Sequence, residues 1–200
     1  MRSLVLAGGL GLLFCACTSD SVDSNEQARR AYLGLDPSVE KSLNLGFAGF
    51  NAATSANIPD QMTAGAATGT LMIGGQVDQG SSSNKEMRLT VTMTAYSDGP
   101  FEVDSNHDTY DVTYATDTAV ATDPVLDLSL KNIPTGTLTG TLMGTYHLTG
   151  DIAGDVVLAL TITGTMADGG GGTVTRAPGS TTITGTATQG SGVYQVNVTL

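Results

Sequence analysis

The sequence predicts a mainly β fold, an antiparallel eight-stranded barrel or sandwich with one or two helices before it. The clearest segment is 136–166, where apolar side chains alternate with threonine or aspartate at a period of two. Alternate residues of a strand point to opposite faces, so this pattern predicts one buried and one solvated face. A Gly-rich stretch at 150–154 divides the segment into the two arms of a long hairpin. Further strand-like segments, separated by Gly-rich turns, are typical of antiparallel barrels and sandwiches.

The two faces of this hairpin can be assigned residue by residue. The face expected to be buried carries Leu138, Leu142, Tyr146, Leu148, Ile152, Val156, Leu158, Leu160 and Ile162. The face expected to be solvated carries Thr137, Thr139, Thr141, Thr145, Thr149, Asp151, Asp155, Thr161, Thr163 and Thr165. Because threonine is β-branched and ordinary sheets twist, the pattern favours a solvated sheet face over the flat threonine array of an ice-binding protein.

The hairpin has an earlier counterpart 71 positions upstream, reached without a gap. Gly69-Thr70-Leu71-Met72 aligns with Gly140-Thr141-Leu142-Met143, Leu89-Thr90-Val91-Thr92 aligns with Leu160-Thr161-Ile162-Thr163, and Val112-Thr113 aligns with Ile183-Thr184. Internal repeats dictate architecture, and two four-stranded units would close as an eight-stranded barrel, either filled or holding one small ligand. The alternative is that any two threonine-rich strands resemble each other.

The chain begins with the layout of a secretory signal. Residues 1–16 contain one basic residue, Arg2, and an apolar run from Leu4 to Phe14 that is too short to remain as a membrane span. The run ends in Leu13-Phe14-Cys15-Ala16-Cys17, which resembles a bacterial lipoprotein signal. In that class a small residue precedes a cysteine that is lipidated and becomes the mature N-terminus. The alternatives are ordinary cleavage followed by secretion and an anchor that is not cleaved.

The resemblance implies acyl chains, palmitate among them, on Cys17, and a membrane as the partner of the anchor. Thr18 follows the cysteine where inner-membrane lipoproteins of this class carry aspartate, so the resemblance implies the outer membrane. The only other cysteine, Cys15, lies within the signal. The processed chain is therefore expected to have no disulfide, thiol nucleophile or cysteine metal site.

Four regions follow from composition: a signal at 1–16, a polar, acidic tether at 17–25, a helical segment and loop at 26–68, and a β domain at 69–200. In the helical segment Ser24 has capping-box spacing and Gly34 is expected to end a first helix. Asp36-Pro37 is expected to start a second, with an apolar stripe of Val39, Leu43, Phe47 and Phe50. The strands are expected at 69–78, 86–96, 109–116, 125–132, 137–149, 152–166, 173–187 and 193–200.

The net charge of -11 disfavours nucleic acid as a partner, because an acidic surface repels phosphate. A hard cation is chemically better suited. Asp104, Asn106 and Asp108 place oxygen ligands at alternating positions, like the opening of a calcium loop. However, Thr109 stands at the sixth position and Ala115 at the twelfth, so the alternative is a turn rich in aspartate and asparagine.

The chemistry of the sequence favours a non-enzymatic protein without a cofactor. It contains no nucleophile elbow, aspartic-protease triplet or phosphate loop, and both histidines, His107 and His147, are interpreted as surface residues. We therefore expect a lipid-anchored cell-envelope β domain with a structural or interaction role. The sequence does not identify its protein or small-molecule partner. The alternatives are a barrel that binds a small apolar ligand and a calcium-assisted adhesion or binding module. A membrane-inserted barrel and a polysaccharide hydrolase are less favoured.

Overall fold

The computed structural model describes residues 19–117 and 119–200. Its elements are α1 (Asn25–Ala52), β1 (Asn57–Ala64), β2 (Thr68–Val77), β3 (Lys85–Ser97), β4 (Phe101–Glu102), β5 (Thr109–Tyr110), β6 (Val112–Ala115), a 3-10 turn (Val120–Thr122), β7 (Val125–Lys131), β8 (Thr137–Gly150), β9 (Gly154–Gly170), β10 (Thr173–Arg176), β11 (Thr182–Gln189) and β12 (Gly192–Thr199). The mainly β prediction is confirmed.

Ten strands form one hydrogen-bonded sheet, in which all strand pairs are antiparallel. The strand order is β1-β2-β3-β6-β8-β9-β11-β12. Strand β7 also pairs with β3 and β8, beside β6, and β10 pairs with β9. Strands β4 and β5 form a separate small hairpin. Short connections between antiparallel neighbours explain why the sequence order is largely kept across the sheet.

Helix α1 lies against the inner face of this sheet and contacts both end strands, β1 and β12. Ser24 caps it, because its hydroxyl accepts a hydrogen bond from the Gln27 amide at 3.2 Å. The helix is buried along most of its circumference, and its core side chains include Tyr32, Leu35, Val39, Leu43 and Phe47. They join the inward-facing strand residues in one hydrophobic cluster. The helix thus occupies the side of the sheet where a barrel would hold a ligand.

The predicted inner and outer faces of the hairpin are confirmed. All nine apolar residues assigned to the inner face are buried, with at most 4% of their surface exposed. The threonine and aspartate residues assigned to the other face are exposed or half-buried. The turn between the two arms falls at 151–153, within the predicted stretch. Burial of one face and solvation of the other is the arrangement that a period of two requires when one side of a sheet packs on a core.

Strand β3 departs from its predicted alternation at Ala95. In the predicted strand 86–96, a period of two puts Met87, Leu89, Val91, Met93 and Ala95 on the inward face, but Ala95 is exposed and Tyr96 is fully buried instead. Ala95 has a φ of 46° and faces Gly69, whose φ is 70°, across an irregularity in the β2–β3 register. A β-bulge inserts one extra residue into a strand, so the side chains after it point to the opposite face of the sheet. A Cβ at Gly69 would lie 2.1 Å from the Ala95 carbonyl oxygen, so the bulge requires glycine there.

The N-terminal segment forms one helix, so the prediction of a break between Gly34 and Pro37 was wrong. Gly34 is buried inside the helix, and a Cβ there would lie 2.4 Å from the Phe101 ring and 2.5 Å from the Tyr114 hydroxyl. This glycine allows close packing rather than ending the helix. Pro37 lies on the exposed side, where water can satisfy the carbonyl left without its helical donor.

The loop predicted between the helix and the sheet contains an additional strand, β1, which pairs with β2. The prediction failed because β1 shows no alternation: only Ile58 is buried, and Pro59 interrupts the pattern. Proline is tolerated in an edge strand, where its missing N–H faces away from the neighbouring strand. The register of β1 shifts between Ile58 and Gln61, around this proline.

The strand pairing of the two sequence repeats differs. Leu71 pairs with Met93, whereas its counterpart Leu142 pairs with Leu160, the counterpart of Leu89. The β2–β3 connection spans 78–84 and the β8–β9 connection spans 151–153, which accounts for the different register. In addition, β6 and β7 both lie between β3 and β8, whereas β11 and β12 continue outward from β9. A duplicated four-stranded unit is therefore not reproduced in the pairing.

Candidate functional site

The outer face of the sheet carries a row of polar side chains that the strand registers place side by side. Starting at the end strand β1, the row runs Asn57, Gln76, Arg88, Asp127, Thr141, Thr161, Thr184 and Asn197. Neighbours in the row interact where their side chains are long enough: the Gln76 amide donates to Asn57 Oδ1 at 2.9 Å. The next row places Glu86, Ser129, Thr139 and Thr163 in the same manner.

Part of these two rows lines a cleft of about 510 Å³ on the outer face. We call this the outer-face cleft; it is lined by Ala56, Gln76, Val77, Asp78, Glu86, Met87, Arg88, Asp127, Leu128, Ser129, Thr139, Gly140, Thr141 and Thr161. Gly140 shapes its floor, since a Cβ there would lie 2.3 Å from the Asp127 carbonyl oxygen and 2.8 Å from the Leu128 side chain. The missing side chain lets β7 and β8 approach closely beneath the cleft.

Two ion pairs cross the outer-face cleft. Arg88 Nε lies 3.3 Å from Asp127 Oδ1, and the Arg88 side chain is 70% exposed. Glu86 Oε1 accepts hydrogen bonds from Lys131 Nζ at 2.5 Å and from the Ser129 hydroxyl at 2.8 Å. The hydrogen bond from Lys131 lowers the pKa of Glu86 below its usual value. Both carboxylates therefore have cationic partners, and Arg88 is the most exposed side chain of the two pairs.

The lining of the outer-face cleft is rich in polar groups. Its lining provides a guanidinium, carboxylates, an amide and hydroxyl groups, all able to form hydrogen bonds with a polar ligand. Among the described residues its lining has no histidine or cysteine, and its ionisable groups are carboxylates and one guanidinium. None of the lining residues among those described is aromatic, so they provide no ring on which a sugar could stack. Sequence analysis did not find this cleft, because only the registers bring β2, β3, β7 and β8 together.

His147 is held between two carboxylates on the outer face, a setting that its interpretation as a plain surface residue missed. Its Nδ1 lies 2.7 Å from Asp155 Oδ1, and its Nε2 lies 2.8 Å from Asp117 Oδ1. Asp155 is its direct cross-strand partner. The predicted hairpin alone could have suggested this pair, whereas Asp117 reaches it from another part of the chain. With both ring nitrogens engaged, the imidazole has no free nitrogen to act as a general base.

Hydrogen bonds to Asp155 and then to Asp117 raise the pKa of His147 above its ordinary value. The charged form is favoured in the folded state, so its contribution to stability is present below about pH 6.5, the unfolded pKa, and is lost as the pH rises through the folded pKa. We expect Asp155→Asn to lower this pKa more than Asp117→Asn does, because the Asp155 hydrogen bond is the larger cause. Titration of the imidazole protons by NMR measures both shifts. Equal pKa values in the wild-type and Asp155→Asn chains would contradict the assignment.

The predicted calcium loop forms a tight turn before β5. Asp104 Oδ1 accepts the amide of Asn106 at 2.9 Å and that of Asp108 at 3.4 Å, so this carboxylate stabilises its own backbone turn. His107, in the same turn, has a φ of 64° and lies 3.0 Å from Glu102 Oε2. Within 19–117 and 119–200, no three His, Cys, Asp or Glu side chains are grouped as metal ligands. Calcium binding at Asp104, Asn106 and Asp108 stays a prediction.

A largely buried ionic cluster, with side chains 11–27% exposed, joins the helix to β10. Arg176 forms two hydrogen bonds with the Asp36 carboxylate, at 2.7 and 2.8 Å, and a third with Glu40 Oε2 at 2.9 Å. The Tyr32 hydroxyl donates to Asp36 Oδ1 at 2.6 Å. Burial lowers the pKa of Arg176, but the hydrogen bonds with Asp36 outweigh it and the pKa is raised. None of these four residues lines the outer-face cleft, and the geometry of the cluster indicates a structural role.

A smaller cleft of about 280 Å³ lies at the opposite end of the sheet from the β8–β9 turn. It is lined by Ile133, Pro134, Asp168, Gly170, Gly171, Gly172, Thr173 and Val174. Its one charged side chain, Asp168, accepts the amide of Gly170 at 2.8 Å and so supports the glycine turn. This cleft offers far fewer polar groups than the outer-face cleft.

Cys17, the predicted lipidation residue, and the signal before it lie outside the described residues. In the part of the chain that the structure does describe, no helix has the length and apolar character needed to cross a bilayer. No family model, curated protein or solved structure that was compared with the chain matches it.

Proposed function

We propose that this chain is a lipid-anchored protein of the bacterial cell envelope, attached to the outer membrane through Cys17, whose β domain has an interaction role and no catalytic activity. The N-terminal residues that resemble a lipoprotein signal support the anchor. The partner is expected to bind the outer-face cleft.

The observation that carries the interaction role is the polar lining of the outer-face cleft. Charged, amide and hydroxyl side chains converge there from the five strands β2, β3, β7, β8 and β9, and Arg88 among them is 70% exposed. A site that binds a polar partner by hydrogen bonds and charge needs this combination. The alternative of an apolar ligand inside the sheet is less well supported, because the side chains of helix α1 pack into that space.

The anchor is tested by labelling cells that express the full chain with a palmitate analogue. We expect Cys17→Ala to abolish labelling and to release the protein from the membrane fraction. The matched control is Cys15→Ala, which removes the neighbouring cysteine and should leave labelling intact. Labelling that persists in the Cys17→Ala chain would overturn the proposed anchor.

The interaction role is tested with a photo-crosslinking amino acid placed in the cell-expressed protein. We expect crosslinks to one discrete partner from position Thr139, which lines the outer-face cleft, and their loss when Arg88→Glu is added. Thr165 is the matched control, an exposed threonine of the same sheet face that lies outside the cleft. If both positions give the same crosslinks, or if Arg88→Glu changes nothing, the cleft is not the binding site.

A further inference from the structure

The chain is attached to the β domain from Asp20 onward, well inside the predicted tether. The Asp20 amide donates to the Asp151 carbonyl at 2.8 Å, and the Ala153 amide donates to the Asp20 carbonyl at 2.9 Å. Val22 is buried, with 2% of its surface exposed, and its amide donates to Gln189 Oε1 at 2.5 Å. These contacts hold the first described residues on the β8–β9 turn and the end of β11. The interpretation of 20–25 as part of a free tether was therefore wrong.

Very little chain is left between the predicted anchor and this attachment point. Only Thr18 and Ser19 stand between Cys17 and Asp20, so three Cα-to-Cα steps join the two residues. A fully extended chain advances at most about 3.6 Å per residue, so these steps span roughly 11 Å or less. An acylated Cys17 lies at the lipid surface, so Asp20 would be held within about that distance of it.

We propose that the β domain docks on the lipid surface by the end that carries Asp20, in a defined orientation. This tethered end consists of residues 20–23, the β8–β9 turn at 151–153 and the β11–β12 turn at 190–191. The inference rests on the proposed lipidation of Cys17 and adds the surface that meets the membrane. A domain on a long flexible linker would sample all orientations, whereas a linker this short restricts them.

Two exposed valines lie next to the tethered end. Val157 and Val193 are 46% and 60% exposed. Both pair with Thr188, so they lie on the same outer face of neighbouring strands. Each is only a few residues from one of the two turns. Apolar side chains at this position can bury surface in the interfacial region of the bilayer, which favours docking on this side.

The charge of the tethered end determines the kind of lipid surface that it fits. Asp20, Asp23 and Asp151 are exposed there. Anionic headgroups would repel these carboxylates, and salt would screen the repulsion. The structure therefore fits a surface rich in zwitterionic headgroups, with contact limited to the headgroup region.

This orientation would hold the outer-face cleft away from the membrane. Thr141, in the cleft, precedes Gly150, at the tethered end of β8, by nine residues. At about 3.4 Å per residue this corresponds to roughly 30 Å of strand. Glu86 and Ser129, also in the cleft, lie beside the β2–β3 connection. That connection is at the opposite end of the sheet from the tethered end. A partner could thus reach the cleft without competing with the bilayer.

The orientation is tested with the full, processed chain reconstituted into phosphatidylcholine vesicles that contain a nitroxide headgroup lipid. A fluorophore is attached either through Ser191→Cys, at the tethered end, or through Ser81→Cys, in the β2–β3 connection at the opposite end; both serines are exposed. We expect severalfold stronger quenching at position 191 than at position 81. Inserting about 20 glycine and serine residues after Thr18 should bring the two values together, because such a linker reaches roughly 25 Å.

The outcomes separate the two proposals. If mass spectrometry finds no acyl chains on Cys17 and the chain does not sediment with vesicles, the proposed anchor is overturned. The proposed docking is then overturned as well, because it depends on the anchor. If the chain is acylated and sediments with vesicles but both positions are quenched equally, only the docking is overturned. Stronger quenching at position 191 that persists with the inserted linker would support docking through the contacts of the tethered end itself, and would show that the short connection is not needed for the orientation.

Discussion

A chain shortened to begin at Ser55, which keeps all the strands but lacks helix α1, is expected not to fold cooperatively. The helix contributes Tyr32, Leu35, Val39, Leu43 and Phe47 to the core, each no more than 3% exposed. At roughly 2 kcal/mol for each buried large apolar side chain, their loss costs about 10 kcal/mol. This equals the whole net stability of a typical domain, about 5–15 kcal/mol. Urea denaturation followed by circular dichroism should show no cooperative transition.

The control for this experiment is a chain that begins at Ser19 and keeps the helix, which should unfold cooperatively. A peptide of residues 24–53 added to the shortened chain should restore part of its structure, because the missing apolar surface is supplied in trans. Cooperative unfolding of the shortened chain alone would contradict the central role of the helix. It would support instead the division into a helical segment at 26–68 and an independent β domain at 69–200.

Replacement of Arg176 by methionine is expected to lower the free energy of unfolding by about 3 kcal/mol or more. The guanidinium is the partner of both Asp36 and Glu40, and its side chain is only 11% exposed. Its removal leaves two carboxylates in a poorly solvated place without a cation, and removing one partner of a buried ion pair typically costs about 3–5 kcal/mol. Glu40 Oε1 already lacks a hydrogen-bond partner within the described residues. Equilibrium urea denaturation measures the loss.

Arg88→Met is the matched control, since Arg88 also pairs with an aspartate but is 70% exposed. Exposed ion pairs contribute about 0–1 kcal/mol, so this variant should stay close to the wild-type stability. The double variant Arg176→Met, Asp36→Leu should recover part of the loss, because it also removes one of the unpaired carboxylates. If Arg176→Met costs no more than Arg88→Met, the cluster does not hold the helix on β10.

The alternation of side chains along single strands was predictable because it depends only on local geometry. From the sequence, Leu142 and Leu160 were expected on the buried face and Thr141 and Thr161 on the exposed face, and the structure agrees. The prediction failed where long-range packing overrides a local signal. Gly34 is a helix-ending residue in most settings, but here the nearby Phe101 and Tyr114 require its small size.

The outer-face cleft could not be predicted from the sequence, because it too depends on long-range contacts. Arg88 and Asp127 are neighbours only because β7 pairs with β3 in one register, and nothing local in either strand specifies that register. The contact of Asp117 with His147 depends equally on the position of a connection outside the hairpin. The calcium loop and the lipidated Cys17 are predictions of the sequence that the structure does not test.

By itself, the sequence determined the mainly β class and the two faces of the long hairpin, because both depend on residues close together in the chain; the lipoprotein signal stays a prediction. Only the tertiary structure decided that one unbroken helix fills the inner face of the sheet. It also decided that Asp20 lies on the β8–β9 turn and that the polar rows meet in a cleft. These features depend on which strands pair and in which register, and that is settled by the packing of the whole core.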